Sequence, residues 1–141
     1  LGCPIYGHKD DQLFYETPEV MRAYVYPPDM TLEPVTIDHW VEQGDVIELL
    51  GERIEIRHVP GHCPGNVLFH FAAHKAAFVG DALFAGSVGR WDLKGGDFPT
   101  LERSIREQIY TLDPETNVYP GHGPQTTVGQ EFETNPVVPG Q

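Results

Sequence analysis

The stretch that decides the fold is His58-Val59-Pro60-Gly61-His62-Cys63-Pro64-Gly65-Asn66. An alternating apolar run ends at Val59, and a Pro-Gly turn then presents His62 by backbone geometry, because Pro holds φ and Gly admits positive φ. The device recurs downstream. Ala76-Ala77-Phe78-Val79 reads as a short buried strand closing on Gly80-Asp81, and Asn117-Val118-Tyr119 leads into Pro120-Gly121-His122-Gly123-Pro124. Two imidazoles and one carboxylate, each delivered by a glycine turn at a strand end, form a pattern of metal ligands. Pro-Gly-His turns arise by chance in loops, but two of them around a buried strand ending in Gly-Asp are harder to dismiss.

Working outward, residues 46–50, a Gly51-Glu52 turn and residues 53–59 read as a β-hairpin. Ile54 and Ile56 alternate with Glu55 and Arg57, the period of a strand solvated on one face. Residues 66–71 form a further strand, and His74-Lys75 turns the chain into residues 76–79. Asp97-Phe98-Pro99 opens the clearest helix, with Leu101, Ile105, Ile109 and Leu112 on one face and Glu102, Arg103, Arg106 and Glu107 outward. Residues 126–135 read as a last helix closed by Pro136. Upstream, Ile5-Tyr6-Gly7 is a short strand, and Thr17-Pro18-Glu19 starts a helix that runs to about Tyr24. Residues 29–45 are polar, carry proline and read as a loop.

Composition narrows the function classes. The 141 residues are 40% hydrophobic and 21% charged, the profile of one soluble globular domain. With 21 acidic against 9 basic residues the net charge is -12, which repels phosphate backbones and argues against a nucleic-acid partner. Two cysteines, Cys3 and Cys63, make no disulfide framework and suit a reducing, cytoplasmic setting. No run approaches the roughly 18 apolar residues of a membrane span. Of the seven histidines, His8, His39 and His74 lie in polar loop contexts and read as solvated, while His58 and His70 lie in strands and read as structural. His62 and His122 remain.

Together with residues 78–84, Gly86-Ser87-Val88-Gly89-Arg90-Trp91-Asp92-Leu93 and residues 118–124, the opening stretch resembles the metallo-β-lactamase superfamily. Within it the likeness is to the glyoxalase II-like (hydroxyacylglutathione hydrolase) branch. The resemblance implies an αβ/βα sandwich, two sheets face to face with helices outside. It implies that His62 binds a first metal, that Asp81 bridges both metals and is the catalytic carboxylate, and that His122 binds the second. Zinc is the implied ion, two per intact site, with iron or manganese as alternatives. The remaining ligands would come from an N-terminal His-x-His-x-Asp-His motif that these residues do not contain. The expectation is therefore a truncated chain, residues 1–141 forming one partial domain, the C-terminal two-thirds of the fold. Its N-terminal strands and first metal motif would be missing and one sheet face left open.

The implied reaction is hydrolysis of a small-molecule thioester such as S-lactoylglutathione by a hydroxide bridging the metals. A thiol leaving group with a pKa of about 8.5 needs little help from an acid. With two ligands per metal instead of the usual three, the isolated chain is expected to be inactive. Cys63 replaces a more usual hydroxyl residue, Arg90 and Asp92 read as a structural pair, and Trp91 reads as packing. The resemblance is to the compact bacterial type, for which no C-terminal helical domain is expected after His122. Three alternatives stand beside this one: a persulfide dioxygenase with a single iron, a nuclease that the charge disfavours, and a non-catalytic half-domain that binds a partner over its open sheet.

Overall fold

In the computed structural model, which describes residues 2–140, the chain opens with β1 (Tyr6–Gly7), α1 (Gln12–Glu16) and a 3-10 segment over Pro18–Tyr24. After β2 (His39–Trp40) come β3 (Val46–Leu49), β4 (Glu52–His58), β5 (Val67–Phe71) and β6 (Ala76–Gly80). A small hairpin, β7 (Leu83–Phe84) and β8 (Ser87–Val88), precedes α2 (Phe98–Ser104), which continues as a π-helical turn over Ile105–Ile109. The chain closes with β9 (Asn117–Pro120), β10 (Thr126–Thr127) and α3 (Val128–Thr134).

Six strands form one sheet in the order β10-β9-β6-β5-β4-β3. All neighbours are antiparallel except β6 and β9, which run parallel because α2 carries the chain back across the sheet. Alternation sorts the two faces. Leu68, Ala77, Val79 and Val118 face Leu101, Ile105, Ile109 and Leu112, and this layer is the main core. All four helix residues of the expected stripe are buried. Fully burying each such side chain stabilises the fold by roughly 1.5–3 kcal/mol. Asp97 caps α2 by accepting from the Thr100 amide at 2.9 Å, and Pro99 sits in the first turn, where its missing N–H costs nothing.

The opposite face carries Ile54, Ile56, Val67, Phe69 and Phe71, covered by Tyr6 and Val41. The expected second layer is thus represented among the described residues by the β1–β2 pair. Further along this face Phe78 stacks on Tyr119 with ring centroids 5.0 Å apart and is 47% exposed.

The structure corrects several local expectations. Residues 29–45 are not all loop: β2 pairs in parallel with β1, with Tyr6 opposite His39 and Gly7 opposite Trp40. The segment after Thr17 is 3-10 rather than α, and α1 was not expected. The β3–β4 turn is centred on Leu50 and Gly51, both at positive φ (55° and 81°), one residue before the Gly51-Glu52 turn expected. In the tail, Thr126–Thr127 join the sheet, and the helix begins at Val128, with the Thr127 hydroxyl accepting from the Gln130 amide. Two-residue strands carry no readable period, so their pairing becomes visible only with the partner in place. Among the described residues no helix is long and apolar enough to cross a membrane.

Candidate metal centre

The topology brings the three turns to one edge. β4 and β6 are both antiparallel to β5, and β9 is parallel to β6, so all three strands end on the same side of the sheet. His62 follows β4, Asp81 follows β6 and His122 follows β9.

The turns are built to let these side chains approach. Gly61 has φ of 130°, and a Cβ there would collide with the backbone of Leu101 in α2. A Cβ on Gly121 would run into Asp81 Oδ1. Only glycine lets β9 pass so close to the carboxylate. Asn66 ties strand ends together, its side-chain amide donating to the carbonyls of Val59 at 3.3 Å and Val79 at 3.2 Å.

Asp81 is shared between the two imidazoles. Its Oδ2 lies 3.7 Å from His62 Nε2, and its Oδ1 lies 2.8 Å from His122 Nδ1. The Asp81 and His62 side chains are about one-fifth exposed, whereas that of His122 is 76% exposed and its ring sits edge-on to Phe84. His62 Nδ1 lies 2.7 Å from the Arg90 carbonyl oxygen. A carbonyl can only accept, so Nδ1 carries the hydrogen and Nε2 keeps its lone pair on the Asp81 side. This is the tautomer a metal-binding histidine needs, with its other nitrogen held by a backbone carbonyl. Two nitrogen donors around one carboxylate form a donor set that zinc, iron or manganese can accept.

Around this core the structure assigns roles the sequence did not. Arg90 serves through its backbone oxygen; its guanidinium forks onto Asp92 at 2.7 and 2.6 Å, the expected pair, and holds the Asp92 carboxyl down to about 2. Trp91 packs on Phe98, as expected, with centroids 4.7 Å apart. Asp11 is buried and caps the His62 turn from the far end of the chain, accepting from the Gly65 amide at 2.8 Å and from Cys63 Sγ at 3.0 Å. Burial and then this bond to Asp11 push the Cys63 thiol far up, so it is inert rather than nucleophilic. Nothing local in the sequence marks Asn66 or Asp11 for these roles, since their partners lie 7 to 54 residues away.

The other histidines divide differently from the expectation. His8 is not solvated but buried, stacked on His58 with centroids 4.1 Å apart. With Asp10 they offer three donor atoms within 4.8 Å of one another. His8 Nδ1 already accepts from the Asp10 amide, and His58 Nε2 bonds to the Pro64 carbonyl at 2.7 Å. Parallel rings cannot both aim an in-plane lone pair at one ion, so the group reads as a staple between the N-terminal segment and the His62 loop. His70 pairs with Glu55 at 3.2 Å, the structural role expected, while His39 and His74 are exposed, with His74 beside Glu52.

Known proteins share this arrangement of chain. Hydroxyacylglutathione hydrolase GloC of Haemophilus influenzae is 39% identical over 139 residues, which is 96% of this chain and 64% of that protein. The crystal structure of the BLEG-1 B3 metallo-beta-lactamase superposes with a TM-score of 0.85 at 35% identity, over 96% of this chain and 65% of the other. That of TTHA1623 in a di-iron-bound form gives 0.75 at 40% identity, over 96% and 65%. The chain thus spans a little under two thirds of the length of each of these relatives. The model of the metallo-beta-lactamase superfamily matches residues 1–122, and the chain belongs to that superfamily.

Proposed function

We propose that His62, Asp81 and His122 are metal ligands of a hydrolase that cleaves small-molecule thioesters such as S-lactoylglutathione, with Asp81 the shared catalytic carboxylate. The observation that carries this reading is the division of one carboxylate between two imidazoles, Oδ2 toward His62 and Oδ1 toward His122. The name of the Haemophilus relative points to the same chemistry. Cations held there, zinc foremost, would supply Lewis-acid polarisation of the thioester carbonyl and an attacking water ionised near neutrality. The chain's own residues orient and organise. Arg90 fixes the His62 tautomer through its carbonyl, and Gly121 keeps the approach to Asp81 open. The leaving thiolate, from a thiol with a pKa of about 8.5, departs without a dedicated acid.

Two of these residues per cation fall short of the three a catalytic zinc usually takes, so the reading assigns further ligands elsewhere in the protein. It also takes the partner to be a small molecule met in the cytoplasm rather than a nucleic acid, given the net charge of -12. The test is metal content and thiol release from S-lactoylglutathione, measured on metal-loaded protein expressed from its complete coding sequence. Asp81→Ala is expected to lose bound metal and at least about a hundredfold in turnover. Unchanged thiol release would overturn the proposal, and oxygen uptake with a persulfide in place of thioester cleavage would replace it with the iron dioxygenase reading.

A further inference from the structure

Beside His62 lies a cleft of ≈ 210 Å³ that the metal ligands do not use. Phe14, Met21 and Leu93 supply apolar walls, Cys63 and His62 border it, and Lys94 stands at its rim. The Asp11 carboxylate at its floor is taken up by Cys63 and Gly65. Arg22, Arg57, Lys75, Arg90 and Arg106 each hold a carboxylate, whereas Lys9, Arg53, Lys94 and Arg103 make no ion pair among the described residues; of these four, Lys94 is the one that borders the cleft beside His62.

We propose that this cleft receives the acyl half of the substrate and that Lys94 binds a carboxylate at its far end, so that the preferred substrates are thioesters of short dicarboxylic acids. The inference rests on the thioesterase reading and narrows it. At about 30 Å³ per water-sized group, the space holds about seven non-hydrogen atoms. Three methylenes and a carboxylate fill it; the amide-rich glutathione moiety would not fit and would lose hydrogen bonds against apolar walls. The reaction consumes one water. A C–O bond forms at the acyl carbon, the C–S bond breaks, and the products are the dicarboxylate and the free thiol.

The experiment uses one thiol carrier, N-acetylcysteamine, with glutaryl, butyryl and lactoyl groups, on the metal-loaded protein from its complete coding sequence. Wild type is expected to favour glutaryl over butyryl by about tenfold in kcat/KM, the scale of one charged hydrogen bond at a half-open site. Lys94→Ala is expected to bring that ratio to about one, and Lys94→Arg to restore most of it. Because Lys94 is exposed, these variants keep the fold. Calorimetry of glutarate binding to metal-free protein gives a second readout, lost in Lys94→Ala. No glutaryl preference, or one that survives Lys94→Ala, overturns the proposal. If no thioester is cleaved yet glutarate binds through Lys94, the thioesterase reading fails and the carboxylate cleft stands.

Discussion

A single backbone oxygen sets the tautomer of His62 at residue scale. The Arg90 carbonyl decides which nitrogen of His62 is free, so Arg90 acts on that ring without its side chain. His8 shows the same dependence on surroundings. Desolvation first, and then the charge of His58, lowers its pKa below the ordinary histidine value of about 6.5, against the opposing pull of Asp10, Asp11 and Glu42. A histidine held neutral in the folded state leaves the unfolded chain to take up the proton first. Its contribution is complete above about pH 6.5 and is lost as the pH falls below that value through the folded pKa. Denaturant midpoints measured between pH 7.5 and pH 5.5 are expected to fall, and to fall less steeply in His8→Asn, which retains a side-chain acceptor for the Asp10 amide.

At the scale of elements, the β3–β4 hairpin carries a local conflict. Both central residues of its turn have positive φ, which suits the right-handed twist of the strands, yet the first of them is Leu50, 95% exposed. A branched side chain in the left-handed region costs about 1–2 kcal/mol, and nothing is buried to offset it. Leu50→Asn creates the preferred Asn-Gly turn and is expected to raise stability by about 1 kcal/mol, read as a higher midpoint in urea with an unchanged slope. Helix α2 shows the reverse, local signals in agreement with the global fold. Its cap, its first-turn proline and its apolar stripe were all legible, because each acts within four residues of itself. Only the π-turn, in which the Tyr110 amide reaches back to the Ile105 carbonyl, was not.

Over the whole molecule, the C-terminal segment is tied to the hairpin beyond Asp81 by one buried carboxylate. Glu131 Oε2 accepts from the Gly86 amide at 2.9 Å and from Asn135 Nδ2 at 2.8 Å, and Oε1 accepts from the Thr126 hydroxyl at 2.6 Å. Removing it leaves the buried Thr126 hydroxyl without its acceptor and takes one of two partners from Asn135, whose amide also donates to the Ser87 carbonyl. Glu131→Ala is expected to lower stability by about 2–3 kcal/mol in urea unfolding, more than an exposed charge change, which is usually within about 0.5 kcal/mol.

The amino-acid order alone determined the strand-end turns that present His62, Asp81 and His122, the buried stripe of α2 and the acidic surface. Each is a matter of neighbours a few positions apart, where φ restrictions and periodicity act. Only the tertiary structure decided that one carboxylate meets both imidazoles, that Asp11 caps the loop at Cys63 from 52 residues away, and that His8 stacks on His58. Those contacts join segments with no shared local pattern, so they exist only once the sheet has brought its strand ends to one edge.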